Sequence, residues 1–210
     1  MVYSVCDRKL QHITLYSCFT TFGTLTNKVQ LFILDRDPAL AAQFLADIHL
    51  RKMSLETAQI LSALLVNREI VRPEFLPKAY NPAHPVIKAV NTPFKINWVL
   101  EYNSALHQEY LRRFSKPHAY GQWVMLYRKL LYVDTPGHAE LSFAGIFKDF
   151  TPVSEDIVQA YREYYRFKKS IIHNWKYTNA GEPEWLTNNI TAEECRRCGQ
   201  IAPEKCRNNF

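Results

Sequence analysis

The chain contains no apolar run approaching the roughly 20 residues that a membrane-crossing helix needs, so no membrane partner is expected. Near its start stand Arg8 and Lys9, but no apolar stretch followed by small residues, and a secretory leader is not predicted. Glycine is scarce, at 6 of 210 residues, and there is no phosphate-cradling glycine loop. A Ser-His-Asp signature and an HExxH metal motif are missing as well. The 5 cysteines are odd in number and scattered as Cys6, Cys18, Cys195, Cys198 and Cys206, which excludes a disulfide framework and suits a reducing, cytoplasmic setting. Cys195, Cys198 and Cys206 supply three thiolates where structural zinc takes four ligands, so a free-cysteine tail is the expectation unless His173 or Cys6 completes a site. No metal and no other cofactor is expected.

What is present reads as a folded, helix-rich domain. Hydrophobic residues make up 47% and charged residues 22% of the chain, and 26 basic against 20 acidic groups leave a net charge of +6, a mild invitation to anionic partners. Residues 1–28 have a Thr, Tyr and Phe texture without helical period and read as an extension. Residues 29–186 carry the regular pattern of a helical core domain, and residues 187–210 form a polar tail with cysteines. The fold class expected is mainly α, a single helical domain with a short extended or β-like N-terminal element.

The most informative stretch runs from His49 to Gln59. After the apolar run Leu31 to Leu34, Asp35 and Asp37 precede Pro38, a strong helix start, and the pattern continues to about Asn67 with a break near Asp47. At about 100° per residue, His49, Lys52, Glu56 and Gln59 form one polar stripe bordered by Ile48 and Leu55 on one side and by Met53 and Ile60 on the other. Asp47, Arg51, Ser54 and Ser62 form a second polar surface on the opposite side. A helix with two polar faces is unusual, because buried charge is costly unless it is paired or used. The stripe is therefore the wall of a polar pocket, a closed ion-pair network, or a solvent face.

Further along, His84-Pro85 opens a short helical turn through Val90, with His84 either pointing into a neighbouring cleft or serving an ordinary loop. A helix from about Phe94 to Ser115 places Asn103 and His107 within its apolar face, where they either have core partners or meet the Lys52 and Glu56 stripe. A further helix spans about Tyr120 to Tyr132, and Leu141 to Phe150 is a loop with aromatics. Ser154 is the expected cap of a helix from Ile157 to Trp175. That helix interleaves Tyr161, Tyr164 and Tyr165 with Arg162, Arg166, Lys168 and Lys169, either a surface that stacks on bases while neutralising phosphates or a tyrosine-rich core edge with a solvated basic face. Trp185 is expected to pack back onto the domain.

Several of these elements together carry a resemblance. Asp35-Arg36-Asp37-Pro38, Lys52-Met53 with Glu56, Gln59 and Leu61, His84-Pro85, Trp98, Glu109-Tyr110, Arg113-Phe114, Lys116, His118, Ala160-Tyr161-Arg162, Tyr164-Tyr165, Trp175 and Trp185 resemble a group of phage-encoded proteins of similar size. For such a protein the cytoplasm would be that of the infected host cell. More distantly, Lys52 through Leu61 and the following His84-Pro85 are similar to bacterial proteins grouped with pyrimidine-dimer DNA glycosylases. That resemblance implies a helical protein that acts on a DNA base, with an N-terminal amine as nucleophile and a glutamate nearby.

The residues themselves suggest a related chemistry. Lys52, if burial lowers its pKa, is an amine nucleophile, and Glu56 four residues later on the same side is a general acid or base. His49, Gln59, His84, Asn103, His107, Arg113, Tyr161, Tyr164, Tyr165 and Lys168 would then bind substrate, the tyrosines stacking on an exposed base. The expected partner is DNA or a nucleotide. Two other classes stay open: a non-catalytic protein that sequesters a nucleotide or nucleic acid, and a protein-interaction adaptor in which Lys52 and Glu56 are only an i,i+4 ion pair.

Overall fold

The computed structural model describes residues 29–134, 141, 143, 145 and 147–187, and the expectations for the 1–28 extension and for the cysteine tail lie outside them. The helices in order are α1 (Pro38–Gln43), α2 (Asp47–Asn67), α3 (Pro85–Ala89), α4 (Pro93–Phe114), a 3₁₀ turn (Ala119–Trp123), α5 (Val124–Leu131), α6 (Ile157–Ile171) and α7 (Glu184–Thr187). No strand occurs among the described residues, and the domain is mainly α. No helix among them is long and apolar enough to cross a membrane.

Caps explain where most of these helices begin. The Asp37 carboxylate accepts from Ala39 N at 2.7 Å and Pro38 takes the first position of α1. His84 caps α3 through its ring nitrogen, and Thr92 caps α4 ahead of Pro93. The helix stops after Gln43 and a new one starts at Asp47, so the expected break separates two helices. Three expectations need correction. α6 is capped by Asp156, which accepts from Val158 N and Gln159 N, whereas Ser154, two residues earlier, accepts from Asp156 N. The helix also ends at Ile171 instead of Trp175, and the helix expected from Tyr120 opens as a 3₁₀ turn.

Helix α2 is the centre of the packing, with α4 laid against both α1 and α2, and α5 against α2 and α4. Most of both polar faces goes inward, with Arg51 and Lys52 left exposed. On one, Ser54 Oγ donates to Leu50 O, Ser62 Oγ meets the Tyr127 hydroxyl at 2.7 Å, and Asp47 accepts from Thr178 N and Oγ1. Buried polar groups are thereby satisfied, as their desolvation requires. The other face holds His49 and Glu56.

The segment Val29–Leu34 has no regular secondary structure, yet Leu31, Phe32, Ile33 and Leu34 are all buried. It is clamped by α6. Arg162 Nε donates to Leu34 O at 2.8 Å and its Nη2 to Asp35 Oδ2 at 2.9 Å, while the Phe32 ring lies among His49, Tyr161, Tyr164 and Tyr165. This threads the backbone of residue 30 past the middle of α2.

Candidate active site

Two nitrogens face the Glu56 carboxylate. Lys52 Nζ lies 3.3 Å from Oε1, one helical turn back on α2, and the backbone N–H of Gln30 donates to Oε2 at 3.4 Å. Glu56 is only 5% exposed, and burial pushes its carboxyl above the usual range, a shift that the Lys52 charge and the Gln30 hydrogen bond oppose. The Lys52 side chain keeps 47% of its surface. A half-open amine beside a buried carboxyl disposed to hold a proton is an acid–base pair with access to a ligand.

His49, one turn before Lys52, is locked. Tyr165 accepts from Ala46 N at 2.8 Å, and its hydroxyl shares a hydrogen bond with His49 Nδ1 at 3.0 Å. Burial, with the Lys52 and Lys168 charges adding to it, lowers the imidazole to about 3, so His49 is neutral. Its ring packs against Phe32 and Trp175. His49 thus shapes the wall behind Lys52.

From α6, Lys168 reaches the same cluster with Nζ 5.4 Å from the centre of the Tyr164 ring. Its ammonium is lowered first by burial and then by the charges of Lys52 and Lys148. The Tyr164 hydroxyl is bonded to the Gln30 side chain and to the Lys148 backbone, so it ties the loop at Lys148 to the segment beside Glu56. Tyr102, 0% exposed on α4, has no hydrogen-bond partner for its hydroxyl among the described residues, and burial keeps that hydroxyl protonated beside Glu56.

The structure therefore gathers His49, Lys52, Glu56, Tyr164 and Lys168, and adds Gln30, Tyr102 and Lys148, which were not singled out from sequence. Lys148 had a weak signal, a lysine between Phe147 and Phe150. The tyrosines of α6 have no open faces. Tyr161 is covered by Phe32 and Phe147, Tyr164 by Phe32, Phe147 and Phe150, and Tyr165 by Phe32, Trp175 and Trp185. They form a core edge, with Arg162, Arg166, Lys168 and Lys169 half-buried around it.

Other candidates sit apart from Glu56. Asn103 donates to Thr57 Oγ1 at 2.9 Å and lies 3.4 Å from His107 Nε2. His107 is buried against Gly121, where an added Cβ would come within 3.3 Å of its ring, and burial lowers its imidazole to about 4. His84 caps α3 with its ring edge-on to Tyr80, and half-buried Gln59 accepts from Tyr80 N through its backbone. The Arg113 side chain is 0% exposed and donates to Glu109, Asp47, Leu45 O and Gln43 O. A shallow concavity of about 150 Å³ lies beside Arg112 and Gln108, and none of its lining residues belongs to the Glu56 cluster.

Residues 29–120 match the pyrimidine dimer DNA glycosylase family. The match covers less than half of the 210 residues. It begins at the segment that passes Glu56, takes in α1 to α4 with the Lys52–Glu56 pair, and stops before Lys148, Tyr164 and Lys168. No curated protein and no solved structure matches the chain.

Proposed function

We propose that the protein processes a DNA base by glycosylase-like chemistry, with Lys52 as amine nucleophile and Glu56 as its acid and base. The observation that supports this is a buried carboxyl with a raised pKa, 3.3 Å from a half-exposed amine, inside the segment similar to a DNA glycosylase family. Glu56 takes a proton from the amine, whose lone pair then attacks the anomeric carbon of the sugar. The carbon–nitrogen bond to the base breaks and the base leaves with a proton returned from Glu56, giving a glycosylamine. Glu56 then carries a proton from the amine nitrogen to the ring oxygen, the bond from the anomeric carbon to that oxygen breaks, and the opened sugar stays joined to Lys52 as a protonated imine.

A second site for the amine is favoured by one further distance. The similarity points to an N-terminal amine beside a glutamate, and the nitrogen of Gln30 is 3.4 Å from Glu56, although here it is a peptide amide with a delocalised lone pair. A chain cut to begin at Gln30 would present an amine at that position.

The test is borohydride trapping on duplexes carrying a pyrimidine dimer, an abasic site or other modified bases. The full chain is expected to form a covalent adduct that maps to Lys52. Lys52→Ala and Glu56→Gln should lose it while keeping the wild-type fold by circular dichroism. Should the adduct persist in Lys52→Ala but map to the terminus of a chain cut at Gln30, with its free amine verified by intact mass, the nucleophile is that terminus. DNA bound without any adduct would leave a sequestering protein.

A further inference from the structure

Three lysines from three separate elements converge on the Glu56 cluster. Lys52 comes from α2, Lys168 from α6 and Lys148 from the loop before α6. The contacts that join them run from Lys52 to Glu56 at 3.3 Å, from Glu56 to the Gln30 backbone, from the Gln30 side chain to the Tyr164 hydroxyl, and from Tyr164 both to the Lys148 backbone and to Lys168. The side chains of Lys52 and Lys148 are about half exposed, so a ligand can reach them.

The negative charge nearby does not balance them. Asp149 stands 3.8 Å from Lys148 with 64% of its side chain exposed, where water screens it. Glu56, the other acid, faces Lys52 at 3.3 Å and offsets one ammonium, which leaves Lys148 and Lys168 with only the exposed Asp149. The charges of Lys52 and Lys148 each add to burial in lowering the Lys168 ammonium, whose Nζ lies 5.4 Å from the centre of the Tyr164 ring. Lys168 lies against the Tyr164 ring, and like charges gathered beside it are relieved by an anion.

We infer that Lys52, Lys148 and Lys168 form a seat for one phosphate of a nucleic-acid strand, which fixes the strand with its sugar against Glu56. The inference rests on the reading of DNA as substrate, and it gives the loop at Lys148 a positioning role that lies outside the segment similar to the glycosylase family. A phosphodiester has oxygens that accept from all three ammoniums, and it lies one sugar away from the base to be processed.

Two probes test it. In lysine side-chain NMR with inorganic phosphate, the Lys52, Lys148 and Lys168 signals should move with a common midpoint. Lys148→Ala should weaken that midpoint by about tenfold and Lys148→Arg should restore it. Exposed Lys129 on α5 is the control. Independent midpoints, or shifts no larger than that of Lys129, overturn the seat. With a duplex oligonucleotide, Lys148→Ala should reduce the salt slope of binding by about one, and one neutral methylphosphonate linkage should weaken the wild type but not this variant. Oligonucleotide binding with an unchanged slope overturns the seat and leaves the DNA reading standing. Phosphate bound in common without any oligonucleotide binding upholds the seat and removes the DNA reading.

Discussion

Arg113 illustrates how an expected ligand-binding side chain becomes a structural one. Its Nη1 donates to Leu45 O at 2.7 Å, its Nη2 to Gln43 O at 2.8 Å and its Nε to Glu109 at 2.6 Å. The carbonyls belong to the end of α1 and the turn into α2, groups that a helix terminus leaves without partners. Arg113→Ala is expected to destabilise the fold by about 3–5 kcal/mol, because it strands buried Glu109 and Asp47 together with those carbonyls. Arg113→Lys should recover part of that stability, since an ammonium cannot span the same fork of acceptors. Urea unfolding measures both. The sequence held a clue, since Glu109 and Arg113 are four residues apart, the spacing of an intrahelical pair. That Arg113 turns inward while neighbouring Arg112 stays half exposed follows from the packing of α1 on α4, which no local pattern contains.

Among the elements, helix starts were legible wherever a capping side chain and a proline stood together, as at Asp37-Pro38 and His84-Pro85. The start of α6 was less so, because Ser154, Glu155 and Asp156 offer successive polar side chains and local propensity does not rank their registers. Tertiary contacts choose between them. Glu163 accepts from Val153 N and Ser154 N, and Asp156 meets Arg36 across the chain, which leaves Asp156 to cap the helix. Asp156→Ala is therefore expected to cost about 1–2 kcal/mol, and Ser154→Ala distinctly less, in thermal or urea unfolding. Equal losses would mean that the register of α6 is shared between the two caps. The two-faced pattern of α2 was also legible, but its meaning was not. Periodicity shows which residues share a face, whereas only the packing of α4, α5, α6 and the Val29–Leu34 segment shows that both faces are covered and that Lys52 lies at the edge.

At the scale of the whole molecule, the pH dependence of stability should carry the signature of these buried groups. His49 and His107 are held at about 3 and 4 in the fold, against 6.5 for a free imidazole. Between those values the unfolded chain binds protons that the folded chain does not, so stability is full above pH 6.5 and falls as the pH drops below it. At about 1.4 kcal/mol per unit, each histidine lowers stability by about 2 kcal/mol at pH 5. Glu56 acts in the opposite sense. Its folded pKa lies above 4.5, so its contribution is present below the unfolded value and is lost as the pH rises through the folded one. The fold thus carries an ionisable carboxyl at a cost near neutrality, the arrangement expected where a proton is to be moved. Glu56→Gln keeps an oxygen that can accept from Gln30 N and removes that cost, so it should unfold at higher urea than the wild type at pH 7, by a margin that narrows as the pH falls and the wild-type carboxyl takes up its proton. His49→Gln, with Tyr165 still able to donate to an amide oxygen, should flatten part of that acid loss. Urea titrations at pH 7, 6 and 5 read all three, and a Glu56→Gln protein less stable than the wild type at pH 7 would mean that the Lys52–Glu56 pair holds the fold together and is not poised for proton transfer.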